Sequence, residues 1–146
     1  SPAPREVVET PVIRLLLDSG AVVVCAGGGG VPVVRTDGGR LEGVEAVVDK
    51  DHTAAVLAQA LGADALLILT DVANVFRAFG TPDQEPIGRT TPPELRGLGF
   101  PAGSMGPKVE AACQFVESTG GLAGIGRLQD VRQILAGSAG TIVTTG

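Results

Sequence analysis

Short apolar runs alternate along this chain with stretches whose apolar positions recur at helical spacing. Val12, Leu15 and Leu16 share one face of a predicted helix, with Thr10 as N-cap, Pro11 in the first helical position and Gly20 as the stop. Residues 21–25 are continuously apolar, which predicts a short strand buried on both faces. Residues 31–35 and 44–48 read as extended segments, and Thr36-Asp37-Gly38-Gly39-Arg40 between them predicts a hairpin. Asp49 or Asp51 then caps an alanine-rich helix from His52 to Leu61, apolar on nearly every face and ended by Gly62. Residues 65–69 form a second buried strand, with Thr70 and Asp71 at its carboxyl end.

The next stretch, 79–103, is rich in proline and glycine and reads as a long loop or flap with a short helix at 92–98. Pro107 opens the clearest helix of the chain, running to Ser118 with Val109, Ala112, Cys113 and Val116 as its apolar stripe. Gly120-Gly121 ends it. A strand at 122–125, a helix at 128–135 and a last strand at 141–144 complete the pattern, with no internal repeat. Helices alternating with buried strands predict a layered α/β fold.

Composition narrows the function classes. At 146 residues the chain fits one domain, and 44% hydrophobic residues exclude disorder despite 22 glycines and 10 prolines. The net charge is −5 and the eleven basic residues form no run, which argues against nucleic acid as a partner. With four phenylalanines, no tryptophan and no tyrosine, base-stacking platforms are scarce. Cys25 and Cys113 make no disulfide framework; both sit in apolar segments and are expected as buried free thiols. No spacing of ligand types predicts a metal-ligating cluster. The opening Ser1-Pro2-Ala3-Pro4 is linker-like, lacks a starting methionine and reads as the interior of a protein. The first residues hold no signal-peptide core and no run approaches the ~18 apolar residues of a membrane span, so a soluble, cytoplasmic protein is expected.

Two glycine-framed segments carry the candidate chemistry. CAGGGGVP, from Cys25 to Pro32, follows an apolar run, and four consecutive glycines let a backbone approach an anion with exposed N–H groups. It is neither GxGxxG nor a Walker A box, and a tight glycine turn is its simpler reading. GSMGPK, from Gly103 to Lys108, places a lysine near the second position of a helix, where a cation opposes the helix dipole. An anion bound at the helix start would make that lysine favourable; a solvent-facing lysine is the alternative. Asp49-Lys50-Asp51 sets a lysine between carboxylates at a helix start, or forms an ordinary capped turn, and His52 beside it reads as solvent-facing. Thr70 and Asp71 lie at the strand edge where α/β folds bind ligands, and Val72, Val75 and Phe76 either wall a base or pack the core.

Taken in order, CAGGGGVPVV, GVEAVVDKD, LILTDVANVF and PAGSMGPKVEAACQFV resemble the carboxyl-terminal half of the carbamate kinases, within the amino acid kinase family. The resemblance runs from Pro2 to Gly146. It implies a three-layer α/β/α sandwich with a mainly parallel central sheet, left incomplete here because the family's Gly-Gly-Asn motif and lid-like subdomain are not in this sequence. It implies reversible, magnesium-dependent phosphoryl transfer between ATP and carbamate, in the catabolic direction from carbamoyl phosphate and ADP, as in arginine degradation. Small-molecule substrates, no nucleic acid, no membrane and a homodimeric intact protein follow from it.

Carried over by motif, Gly28, Gly29 and Gly30 belong to the substrate phosphate site. Lys50 and Lys108 neutralise the transferring phosphoryl group, and Asp51 orients them. Thr70, Asp71, Val75, Phe76, Met105, Gly106 and Pro107 shape the nucleotide pocket, with no metal-ligating side chain assigned. The whole chain, 1–146, is then a nucleotide-binding part with a loop-rich segment at 79–106, and the activity of the chain by itself is left open. A related acyl-phosphate-forming kinase, or an inactive nucleotide-binding or interaction module, are the rival readings.

Overall fold

The computed structural model describes residues 2–101 and 103–146. Ser1 of the linker-like opening and Ala102 of the expected flap lie outside the described residues. The chain begins with α1 (Thr10–Asp18), β1 (Val33–Arg35), β2 (Leu41–Gly43), α2 (Lys50–Leu61) and β3 (Ala65–Thr70). It continues through β4 (Val75–Arg77), β5 (Glu85–Ile87), β6 (Arg89–Thr90) and α3 (Pro92–Gly97). It ends with α4 (Met105–Thr119), β7 (Leu122–Arg127), a 3-10 turn at Leu128–Asp130, α5 (Val131–Leu135) and β8 (Thr141–Val143).

The central sheet has the order β3-β7-β8-β6. The pairs β3–β7 and β6–β8 are parallel, and β7–β8 is antiparallel. Alternation along β7 sorts its residues between two faces. Ala123 and Ile125, both fully buried, share a core with Ala112, Phe115 and Val116 of α4 and Ala55 of α2. Gly124 and Gly126 face the other way, and a Cβ on either would collide with Ile134 of α5, itself fully buried. The sheet is thus covered by helices on both faces. This corrects the expectation of an incomplete sandwich: the three layers are formed, because each face of β7 has an apolar helix to bury against.

Two local devices hold the layers together. Gly62 ends α2 in the left-handed conformation, with its N–H donated back to Gln59. Thr141, wholly buried, accepts from the Val75 N–H at 2.8 Å and donates to the Ile87 carbonyl at 2.5 Å. One hydroxyl therefore ties both strands of the β4–β5 hairpin to the end of the sheet. Arg14 of α1 donates to the carbonyls of Ala60 and Leu61, fastening α1 to the far end of α2.

Several expectations are revised. Residues 21–25 form no strand, and Val22 and Val24 are 96% and 97% exposed. No described strand lies alongside them, so an apolar run that would suit a buried strand stays outside the sheet. Cys25 is exposed for the same reason, whereas Cys113 is buried as expected. On α1, Ile13 is buried while Val12 and Leu15 stand 59% and 69% exposed. The segment expected as a loop or flap also contains β5 and β6, paired with β4 and β8, beside the short helix expected at 92–98, which forms as α3. Among the described residues, no helix is long and apolar enough to cross a membrane.

Candidate active site

The site begins at the glycine run. Gly29 is buried at φ +129°, and a Cβ there would run into the Val48 carbonyl. Only glycine permits this approach, which lays the loop against the peptide just before Lys50. The Gly29 N–H closes a tight turn onto Ala26 at 2.9 Å, while Gly28 and Gly30 remain exposed.

Asp49 is the N-cap of α2: its carboxylate accepts from the His52 N–H at 2.9 Å. Lys50 and Asp51 consequently occupy the first two helical positions. Lys50 is exposed, and Asp51 is 8% exposed, a carboxylate placed where the helix dipole favours negative charge.

Lys108 stands in the opening turns of α4, which starts at Met105, two residues earlier than Pro107 predicts. Pro107 at the third helical position costs nothing there, since first-turn N–H groups have no intrahelical acceptor. Gly106 is held close to the preceding loop, its N–H donating to the Pro101 carbonyl at 3.3 Å. The Lys108 Nζ donates to Asp51 Oδ2 at 2.7 Å, with side-chain exposures of 15% and 10%. That bond brings the N-termini of α2 and α4 together beside the glycine loop. Two helix starts, the Lys108 ammonium and a buried carboxylate make a cradle, with Lys50 exposed at the start of α2.

The structure brings together Gly29, Lys50, Asp51 and Lys108, and places Gly28 and Gly30 on the exposed side of the same loop. The remaining sequence-predicted residues lie elsewhere. Thr70 and Asp71 follow β3 at its carboxyl end, where the Thr70 hydroxyl donates to Asp71 at 3.0 Å. Val75 is fully buried and its side chain belongs to the core; Phe76 is partly buried and pairs with Phe79 at 6.0 Å. Met105 packs on the edge of the core and Pro107 is partly buried. Among the described residues no hydrogen bond or ion pair links the 70–76 group to 105–107.

Sequence reasoning missed three residues. Thr53, 3% exposed, donates to the Gly29 and Asp49 carbonyls; a threonine just ahead of the apolar run that begins at Ala54 was its only signal. Thr141 was read as a strand residue alone. Arg96 of α3 forms forked bonds to Glu110 at 2.8 and 2.9 Å and to Glu117 at 2.5 and 3.0 Å, bracing α3 along the side of α4. Those bonds raise the Arg96 guanidinium further and hold the Glu110 carboxyl below its ordinary value. Burial pushes the Cys113 thiol up to about 11. Glu94 is lowered by the Thr91 backbone N–H that it accepts at the start of α3.

Comparison with known proteins finds similarity along the chain in both sequence and fold. The family model "Amino acid kinase family" matches residues 1–123. The carbamate kinase of Rhizobium meliloti (strain 1021) is 50% identical over 147 residues, covering 99% of this chain and 45% of that protein. That of Haemophilus influenzae is 46% identical over 144 residues, covering 99% of this chain and 46% of its own length. The solved structure of carbamate kinase from Giardia lamblia bound to AMP-PNP is 39% identical, with a TM-score of 0.96 over 100% of this chain and 52% of that one. The chain spans about half the length of the curated relatives it matches.

These matches correct the expected extent of the resemblance. The resemblance, expected to run from Pro2 to Gly146, was assigned to a carboxyl-terminal half only, with an incomplete fold. The likeness instead runs along nearly the whole of the 146 residues, in sequence and in backbone, with the sandwich formed throughout. With more than half of its residues matched by the family model, the chain belongs to the amino acid kinase family.

Proposed function

We propose that the protein carrying this chain catalyses reversible phosphoryl transfer between ATP and carbamate. In one direction carbamoyl phosphate and ADP give ATP and carbamate. A terminal phosphate oxygen of ADP attacks phosphorus, the bond from phosphorus to the carbamate oxygen breaks, and carbamate leaves with that electron pair. The single observation that carries the reading is the Lys108–Asp51 bond of 2.7 Å, which sets a lysine at two converging helix starts beside a glycine loop. Similarity to carbamate kinases over 99% of the chain supports the substrate.

On this reading Gly28 and Gly30 hold the substrate phosphate through backbone N–H groups, and Gly29, whose own N–H is turned onto Ala26, sets the loop between them. Lys50 and Lys108 neutralise the oxygens of the transferring group, and Asp51 holds Lys108 on target. Such chemistry asks the protein for positioning and charge rather than covalent work. Thr70, Asp71, Phe76, Met105, Gly106 and Pro107 border the nucleotide, with Val75 setting the backbone beneath it. Residues 1–146 thus act as a nucleotide-binding unit whose segment 79–106 carries the loops.

Magnesium would supply charge neutralisation between nucleotide phosphates when bound. Among the described residues no three ligating side chains come together, a donor set that fits an ion carried on phosphate oxygens and water. A cytoplasmic homodimer is the assembly we propose for the intact protein.

The test is ADP-dependent ATP formation from carbamoyl phosphate and magnesium by the full-length protein, with glutamate and acetylglutamate as alternative phosphoryl acceptors from ATP. Turnover of carbamoyl phosphate is expected. Turnover confined to an amino acid acceptor would replace this reading with a related kinase, and turnover of none would leave a nucleotide-binding module.

A further inference from the structure

We propose that Thr53 is a positioning residue that aims the Gly30 N–H into the phosphate cradle. The inference rests on the phosphoryl-transfer reading and adds a residue to it. Thr53 sits one turn into α2 with its side chain buried, and its hydroxyl lies 2.9 Å from the Gly29 carbonyl and 3.0 Å from the Asp49 carbonyl. A hydroxyl has one proton to share between them. The bond to Asp49 is the ordinary back-bond of a helical threonine and has no functional weight. The bond to Gly29 crosses 24 residues of sequence, and nothing in helix geometry requires it.

Its consequence follows from peptide planarity. Gly29 is buried, so its carbonyl needs a donor, and among the described residues Thr53 is the donor that reaches it. No peptide bond in the described chain is cis. In a trans peptide the carbonyl and the following N–H point in opposite directions. Holding the Gly29 carbonyl toward α2 therefore turns the Gly30 N–H away from α2, to the exposed side of the loop. Gly30 is exposed, and its N–H has no acceptor among the described residues. Both glycines are at positive φ, +129° and +91°, where glycine peptides rotate easily unless something restrains them. Thr53 supplies the restraint and turns a mobile glycine peptide into a fixed donor for an anion.

The test compares Thr53→Val, which keeps shape and removes the hydroxyl, with Thr53→Ser, which keeps it, in the full-length protein. Thr53→Val is expected to raise KM for carbamoyl phosphate about tenfold while KM for ADP stays within about twofold; Thr53→Ser should stay close to wild type. Equal changes in both KM values, no change, or a serine variant as impaired as the valine one would overturn the proposal. A readout independent of turnover is the Gly30 amide resonance of 15N-labelled protein titrated with inorganic phosphate. It should shift in the wild-type and serine proteins and stay still in the valine variant. If wild-type protein does not turn over carbamoyl phosphate, the reaction assignment fails while this titration still decides the role of Thr53. A Gly30 amide that ignores phosphate in wild-type protein, or responds equally in Thr53→Val, removes it.

Discussion

The ammonium of Lys108 and the carboxylate of Asp51 meet at 2.7 Å although 57 residues separate them in sequence. Each stands near the start of a helix, and only one of the two charges is welcome there. Asp51 complements the dipole of α2, whereas Lys108 opposes that of α4 and is balanced by the carboxylate. When an anion enters the cradle, the same lysine gains a second negative neighbour without having to move far.

Lys108→Ala should lower kcat by about 10²- to 10³-fold, the scale of losing one preorganised charge donor at a transition state. Far-UV circular dichroism should show α4 intact, since alanine is a better helix former than lysine. Near-normal turnover would take Lys108 out of the phosphate site.

Asp51→Asn leaves the Lys108 ammonium largely buried without its counter-charge. Breaking a buried pair from one side costs about 3–5 kcal/mol, so a clear fall in Tm should accompany a loss of kcat. A double variant, Asp51→Asn with Lys108→Met, should regain much of the stability and none of the activity. If the double variant is no more stable than the single one, Asp51 acts through its place at the helix start and not through the pair.

Gly29→Ala combines a positive φ with a collision at the Val48 carbonyl, and should cost more than the ~1–3 kcal/mol of backbone strain alone. Gly39→Ala is the control: φ there is also positive, at +79°, but the space around it is open. Urea titration should show Gly29→Ala much the less stable of the two. Comparable stabilities would mean that the loop can lift off α2.

The Arg96 brace predicts an acid limb. Glu110 titrates below its ordinary value because Arg96 donates to it, so its contribution to stability is present in full above the unfolded carboxyl value of about 4.3. It is lost as pH falls through the lowered folded value. Arg96→Ala should lower stability across the neutral range, where that contribution is whole, and converge on wild type as pH falls below about 4, which flattens its acid limb. Arg96, Glu110 and Glu117 side chains are 36%, 46% and 47% exposed, so added salt should shrink the difference. An acid limb unchanged in Arg96→Ala would show that other carboxyl groups set it.

Much of this architecture was legible before any coordinates. The stripe Val109, Ala112, Cys113 and Val116 is buried throughout, and Asp49 caps α2 through its side chain. Those features depend on neighbours three and four residues away, which periodicity reports directly. The pairing of Asp51 with Lys108 came only through the family resemblance and not from periodicity, because the two are brought together by the packing of two helices. Thr53 and Thr141 were missed for a related reason: each acts on a carbonyl distant in sequence, at Gly29 and Ile87. Residues 21–25 show the opposite failure. Their composition suits a buried strand, but a strand needs a neighbour, and composition does not say whether one lies alongside. The segment 79–103 looked like loop because its strands are two or three residues long, too short for alternation to register.

The contrast between the two thiols has a practical side. Cys113 is sealed inside α4 with its proton held to about 11, so alkylating reagents at neutral pH pass it by. Cys25 stands in the open, its carbonyl accepting the Gly27 N–H at 2.8 Å at the mouth of the glycine run. A fluorophore or spin label added to these 146 residues should therefore attach at Cys25, beside the glycine run, and not at Cys113.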